Sequence, residues 1–172
     1  AGDDVTAAAR RYLSAALLSL QTRALPSFLR NVAFEVRGEV LLPRLLAPLL
    51  SPSGSATPRN VAAGLLMRRE FNDAADEHAR GALQLRCFGV VAPSLPLATY
   101  SQLCEVLQQA GLPTCEFAHR VADIGDAERL WRTEAVRLRA ESEFDIDGLV
   151  LKVDSFALQA ALGERNRSPR WA

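Results

Sequence analysis

At 172 residues the chain has material for one buried core but hardly two, so a single domain or a piece of one is expected. Its 20 basic and 20 acidic residues cancel, which argues against strong nonspecific nucleic-acid affinity by this stretch alone, because such affinity grows with the phosphates neutralised. The composition is that of an ordinary soluble protein, and the longest apolar runs, such as Leu41 to Leu50, are interrupted by Pro43, Arg44 and Pro48 well short of the roughly 20 residues that cross a membrane.

Asp3 and Asp4 stand where a signal peptide would carry its basic region, and a first residue that is Ala1 hints at truncation. Asp4 to Leu20, rich in Ala and Leu, predicts a helix that Asp3 or Asp4 caps. Phe34, Val36, Gly38 and Val40 alternate with Glu35, Arg37 and Glu39, the period of a strand, which stops near Pro43. After the Pro/Ser-rich connection Ser51 to Pro58, Asn60 to Arg69 offers a helical turn. Leu83 to Val91, with Leu85, Cys87, Phe88 and Val90, reads as a buried strand ended by Pro93 and Pro96. Thr99 or Ser101 caps a helix whose Leu103, Val106, Leu107 and Ala110 share a face, stopped by Gly111 and Pro113. A further helix begins at an Asp126 cap and carries Leu130, Trp131, Ala135 and Leu138 to about Arg139. Ile146 to Val153, apolar and β-branched, predicts a central strand, and the tail from Asn166 is polar. Strands and helices without regular alternation of the two indicate an α+β fold.

Cys87, Cys104 and Cys115 are odd in number and lack a CxxC pair, so they support neither a disulfide framework nor a zinc site; reduced, mostly buried thiols are expected. On the first strand, Glu35, Arg37 and Glu39 share a side that either faces solvent or lines a polar cleft. Gly38 marks close approach of a ligand or of another backbone. Lys152, the only lysine, lies in the most apolar strand of the chain, where its amine either snorkels to water or meets an anion such as phosphate. In Pro58-Arg59-Asn60, the arginine either clamps a phosphate or decorates a loop.

Phe34-Glu35-Val36-Arg37-Gly38-Glu39-Val40, Pro58-Arg59-Asn60-Val61-Ala62-Ala63-Gly64 and Asp145-Ile146-Asp147-Gly148-Leu149-Val150-Leu151-Lys152-Val153-Asp154-Ser155 resemble three successive signatures of NAD-dependent DNA ligases, in the family's order. Gly2-Asp3-Asp4-Val5-Thr6 and the stretch from Leu158 to Ala172 are similar to flanking segments of the same family, so the resemblance runs nearly end to end. It implies a partial adenylation domain over 1–172, with antiparallel sheets flanking a nucleotide cleft, outer helices and the DNA ligase/mRNA capping enzyme nucleotidyltransferase fold, incomplete at its edges. In that family a lysine attacks the α-phosphate of NAD, expels nicotinamide mononucleotide and passes AMP to the 5′-phosphate of a nick. By resemblance, Glu39 contacts the nucleoside and Lys152 the phosphate, while Arg59 and Arg139 make phosphate or DNA contacts. The implied cofactor is NAD, with Mg2+ for the whole enzyme. The implied partners are nicked duplex DNA and the remaining ligase domains, without a membrane, in an intracellular, DNA-associated setting that is cytoplasmic if bacterial.

The chain also departs from the family pattern. The family's nucleophile, in a Lys-x-Asp-Gly motif, belongs upstream of Ala1, and a second active-site lysine belongs beyond Ala172. Lys152 matches a phosphate-binding position and is no substitute, because a nucleophile must stand in line with the α-phosphate. Met67 stands where an arginine is expected, beside Arg68, while Leu65 replaces a serine and Thr57 an asparagine. Two readings follow, a piece of a working ligase or a degenerate, noncatalytic nucleotide-binding or interaction product. A third is an unrelated domain whose charged strand is mere surface.

Overall fold

The computed structural model describes residues 2–13, 25–30, 32–51, 54–72, 76–166 and 168–172. In chain order these form α1 (Thr6–Tyr12), β1 (Glu35–Leu41), α2 (Ala47–Leu50), α3 (Pro58–Leu66), β2 (Gln84–Val91), α4 (Tyr100–Gln109), α5 (Ile124–Glu141), α6 (Phe156–Leu162) and a hairpin of β3 (Glu164–Arg165) and β4 (Ser168–Pro169). Mixed helices with small antiparallel sheets make this an α+β architecture.

The β1–β2 pair organises the fold. Its antiparallel register sets Val36 against Val90, Gly38 against Cys87 and Val40 against Leu85, so one face is apolar along its whole length. Val40 packs on a core of Ala8, Tyr12, Val61, Ala62, Leu65 and Leu83 from α1, α3 and the residue before β2. Val36, Leu85 and Val90 pack with Cys87 on Leu103, Leu107 and Leu112 of α4 and its exit. The opposite face carries Glu35, Arg37 and Glu39. Between Arg37 and Gly38 the register slips, leaving Phe88 as the extra, unpaired residue of a bulge. A Cβ on Gly38 would stand 2.8 Å from the Arg86 carbonyl oxygen, so this glycine answers to another backbone.

Helix ends follow local chemistry. Thr57 caps α3 through the Asn60 amide at 3.3 Å, with Pro58 pre-set in the first turn. Thr99 and Gln102 close a reciprocal capping box on α4, which stops at Gly111 with φ of 74°. α5 starts earlier than expected, because Asp123 is its cap and Asp126 lies in its first turn. It also runs on to Glu141, where the Arg44 guanidinium binds the carbonyls of Arg139, Ala140 and Ser142. The first helix is seen to Tyr12, with the Asp4 carboxylate accepting from the Thr6 amide, and its expected continuation through 14–20 lies outside the described residues.

Two expectations need correction. Ile146 to Val153 is not a central strand, since no described strand pairs with it, and Val150 and Leu151 are 72% and 47% exposed. A central strand needs neighbours on both edges, whereas among the described residues the one backbone-to-backbone bond of this stretch runs from the Val153 amide to the Trp171 carbonyl. Among the cysteines only Cys87 is fully buried, and Cys115 is exposed.

Candidate functional site

The segment carrying Lys152 is pinned at both ends. At its start, Arg139 in the last turn of α5 donates to the carbonyls of Ile146 at 3.4 Å and Asp147 at 3.3 Å, with its guanidinium 5.0 Å from the Trp131 ring centre. At its end, the Asp154 carboxylate accepts from the Ser101 amide at 2.8 Å and hydroxyl at 2.7 Å, while its carbonyl accepts from the Tyr100 amide at 2.7 Å. An antiparallel bridge between Thr99 and Ser155 and a bond from Gln159 to the Val153 carbonyl complete the clamp. Burial raises the Asp154 carboxyl, but the Ser101 hydroxyl and amide and the Arg120 guanidinium hold it below its ordinary value.

Between these clamps the Lys152 ammonium donates to the Tyr100 hydroxyl at 2.9 Å and lies 4.2 Å from the Tyr100 ring centre and 5.3 Å from that of Phe88. Lys152 is half-buried, and among the described residues no carboxylate forms an ion pair with it. Burial lowers its pKa from the usual lysine value, partly offset by the thiols of Cys104 and Cys115. Burial also pushes the Tyr100 phenol up, helped by the same two thiols. Phe88, the bulge residue, keeps 44% of its surface exposed beside this cation.

Glu39 lies on the strand paired to β2, exposed, opposite Arg86, and its side chain makes no hydrogen bond or ion pair to any described residue. Arg86 instead pairs with Glu116 at 3.2 Å and covers the Phe144 ring at 5.2 Å. Arg59 is exposed in the first turn of α3, and no bond among the described residues joins it to Glu39, Lys152 or Arg139. The structure therefore brings Lys152 next to the β1–β2 pair that bears Glu39 and ties Arg139 to the approach of the Lys152 segment, with Arg59 bonded to none of them among the described residues. The sequence pattern places Phe88 within a buried strand, whereas it is partly exposed, and gives no sign of the role of Tyr100 beside Lys152. The glycines flanking the slip, Gly38 and Gly89, were the available signal for the bulge.

The family model of the NAD-dependent DNA ligase adenylation domain matches residues 1–172. This chain belongs to that family. The DNA ligase of Trichlorobacter lovleyi is 36% identical over 178 residues, covering 99% of this chain and 24% of the relative. Those of Geotalea daltonii, 40% identical over 153 residues, and Geobacter metallireducens, 36% over 149, each cover 80% of this chain and 21% of the relative. The adenylation-domain chain thus spans about a quarter of the length of the curated relatives it matches. Among the described residues, no helix is long and apolar enough to cross a membrane, and no group of three or more His, Cys, Asp and Glu is placed to hold a metal ion.

Proposed function

We propose that this chain supplies the nucleotide- and phosphate-binding surface of a DNA ligase that uses NAD, within the two-layered nucleotidyltransferase fold, and works with a lysine nucleophile carried elsewhere in the protein. That lysine attacks the α-phosphorus of NAD, the bond to nicotinamide mononucleotide breaks, and AMP held as a phosphoramidate passes to the 5′-phosphate of a nick. Attack by the 3′-hydroxyl then seals the strand and releases AMP.

The reading rests on the placement of Lys152 beside the exposed Phe88 ring, on a strand whose partner carries the uncommitted Glu39 carboxylate. A carboxylate accepts hydrogen bonds from nucleoside hydroxyls, an ammonium neutralises phosphate, and an exposed ring gives a flat surface for a base. Arg59 and Arg139 serve phosphate or DNA contacts. Arg139 meets the carbonyls of Ile146 and Asp147 through its Nε and Nη2, and its remaining N–H groups are available for such a contact. Mg2+ belongs to the whole enzyme, and with no suitable donor set among the described residues no step assigned to this chain runs through it. A DNA-associated location, cytoplasmic if bacterial, goes with this function.

The test is equilibrium titration of the purified chain with AMP, alongside incubation with labelled NAD and a denaturing gel. Saturable AMP binding, lost in Glu39→Ala, and no covalent label are expected. A chain that ignores AMP removes the proposal. Label that disappears in Lys152→Ala transfers the nucleophile's role to this lysine.

A further inference from the structure

Five groups face the Lys152 ammonium or stand next to it. Tyr100 and Cys104 come from α4, Cys115 from the α4–α5 connection, Phe88 from the bulge of β2, and Asp154 from two residues along the same segment. The one carboxylate in this set is already engaged with the Ser101 amide and hydroxyl and with Arg120 at 3.5 Å. Among the described residues the ammonium is thus stabilised by a neutral hydroxyl and two ring faces, with no carboxylate paired to it. An ammonium has three N–H donors, of which the Tyr100 hydroxyl takes one, leaving two for an incoming oxyanion.

We infer that Tyr100 is a positioning residue for the phosphate contact of Lys152, its hydroxyl and ring holding the ammonium beside Phe88 with two donors free for a phosphoryl group. This rests on the reading of Lys152 as a phosphate ligand. Tyr100 is suited to the task because it is itself fixed: its amide donates to the Asp154 carbonyl, and the capping box at Thr99 sets the start of its helix. The same two-residue step therefore ties Tyr100 to the Lys152 segment through backbone and side chain together. Tyr100 acts through Lys152 and touches no reacting atom.

The single lysine makes the test direct, because lysine-selective 15N and 13C labelling of the chain yields one side-chain signal. In the wild-type chain the ammonium protons should be protected enough to be seen, and AMP should shift them. Tyr100→Phe keeps the ring and removes the acceptor. It should abolish the protected signal and weaken AMP binding about tenfold, the scale of one lost hydrogen bond to a charged group, with the unfolding midpoint little changed. Unchanged ammonium protection, or unchanged or tighter AMP binding, in Tyr100→Phe overturns the inference. If AMP fails to shift the wild-type lysine signal, the phosphate reading of Lys152 fails, and this inference with it. A Tyr100→Phe failure with an intact wild-type response removes only the role of Tyr100.

Discussion

Arg86 stands directly opposite Glu39 across the β1–β2 ladder, yet its guanidinium turns away to Glu116 at 3.2 Å and over the Phe144 ring at 5.2 Å. A cross-strand pair of opposite charge that is not used as an ion pair leaves Glu39 available for a ligand. It also pins Phe144 at the entry to the Lys152 segment, so one arginine serves two ends of the site. Glu116 is 86% exposed, so its ion pair is worth little, and most of the Arg86 contribution comes from its buried stem and the ring contact. Arg86→Ala should cost about 1 kcal/mol of stability and speed hydrogen exchange in 143–147, as measured by denaturant unfolding and mass spectrometry. Equal exchange there in variant and wild type would show that Arg86 does not hold the segment.

Glu39 itself should behave differently. With no bond to a described residue, Glu39→Gln should leave the unfolding midpoint within about 0.5 kcal/mol of wild type while weakening AMP binding several-fold. Paired thermal melts and AMP titrations check both halves. A variant that is destabilised but binds normally would make Glu39 a structural residue.

Gly38 carries the clearest steric requirement in the sheet. An added Cβ would lie 2.8 Å from both the Arg86 carbonyl oxygen and the Leu85 Cδ1, and the first of these is backbone that cannot swing aside. Gly38→Ala should therefore destabilise the chain by about 1–3 kcal/mol, the cost of forcing an extra methyl into a packed site. Denaturant titration reads this directly, and a variant as stable as wild type would mean that the strands can part without cost.

Much of this was open to sequence reasoning. The alternation at Phe34 to Val40 located β1 to within a residue, and Thr99, one of two candidates with Ser101, is the cap of α4, because period and cap chemistry are local properties. The ends of α5 were missed because its caps lie elsewhere: Asp123 outcompetes Asp126 at one end, and Arg44, distant in sequence, supports the other. Ile146 to Val153 has the composition of a strand, but composition cannot supply the neighbours a strand must pair with. The resemblance placed Glu39 and Lys152 in a common function, while the contacts of Lys152 with Tyr100 and Phe88 depend on a bulge and a clamp that no short pattern encodes.

The charged cluster beneath α1 predicts acid lability. Asp76 is buried against Arg68 and lies 3.7 Å from Arg11, with the Asn72 amide at 2.8 Å. Burial raises its pKa, but the Asn72 amide, the Tyr12 hydroxyl and the two guanidiniums outweigh this and hold it below the ordinary carboxylate value. A carboxyl depressed in the folded state adds stability above its unfolded pKa, and that stability is lost as pH falls through the folded one. The melting temperature should therefore drop below about pH 4, and Asp76→Asn should flatten that drop while lowering stability at neutral pH. A pH profile unchanged by Asp76→Asn would assign acid unfolding to other carboxylates.

The stretch before Val153 sets the last expectation. Val150 and Leu151 are exposed, the backbone around them belongs to no helix or strand, and no described strand pairs with it. Backbone that is paired in no helix or sheet and carries exposed apolar side chains can pair with another chain, since its amides and carbonyls otherwise depend on water. The purified chain should self-associate as its concentration rises, and Val150→Lys should reduce this without lowering the unfolding midpoint, because a residue 72% exposed contributes little to the core. Sedimentation velocity across a concentration series is the check. A chain that stays monomeric and unfolds cooperatively at an ordinary temperature would show that Val150 and Leu151 do not promote pairing with another chain, and the exposure around Lys152 would then leave room for a ligand without driving association.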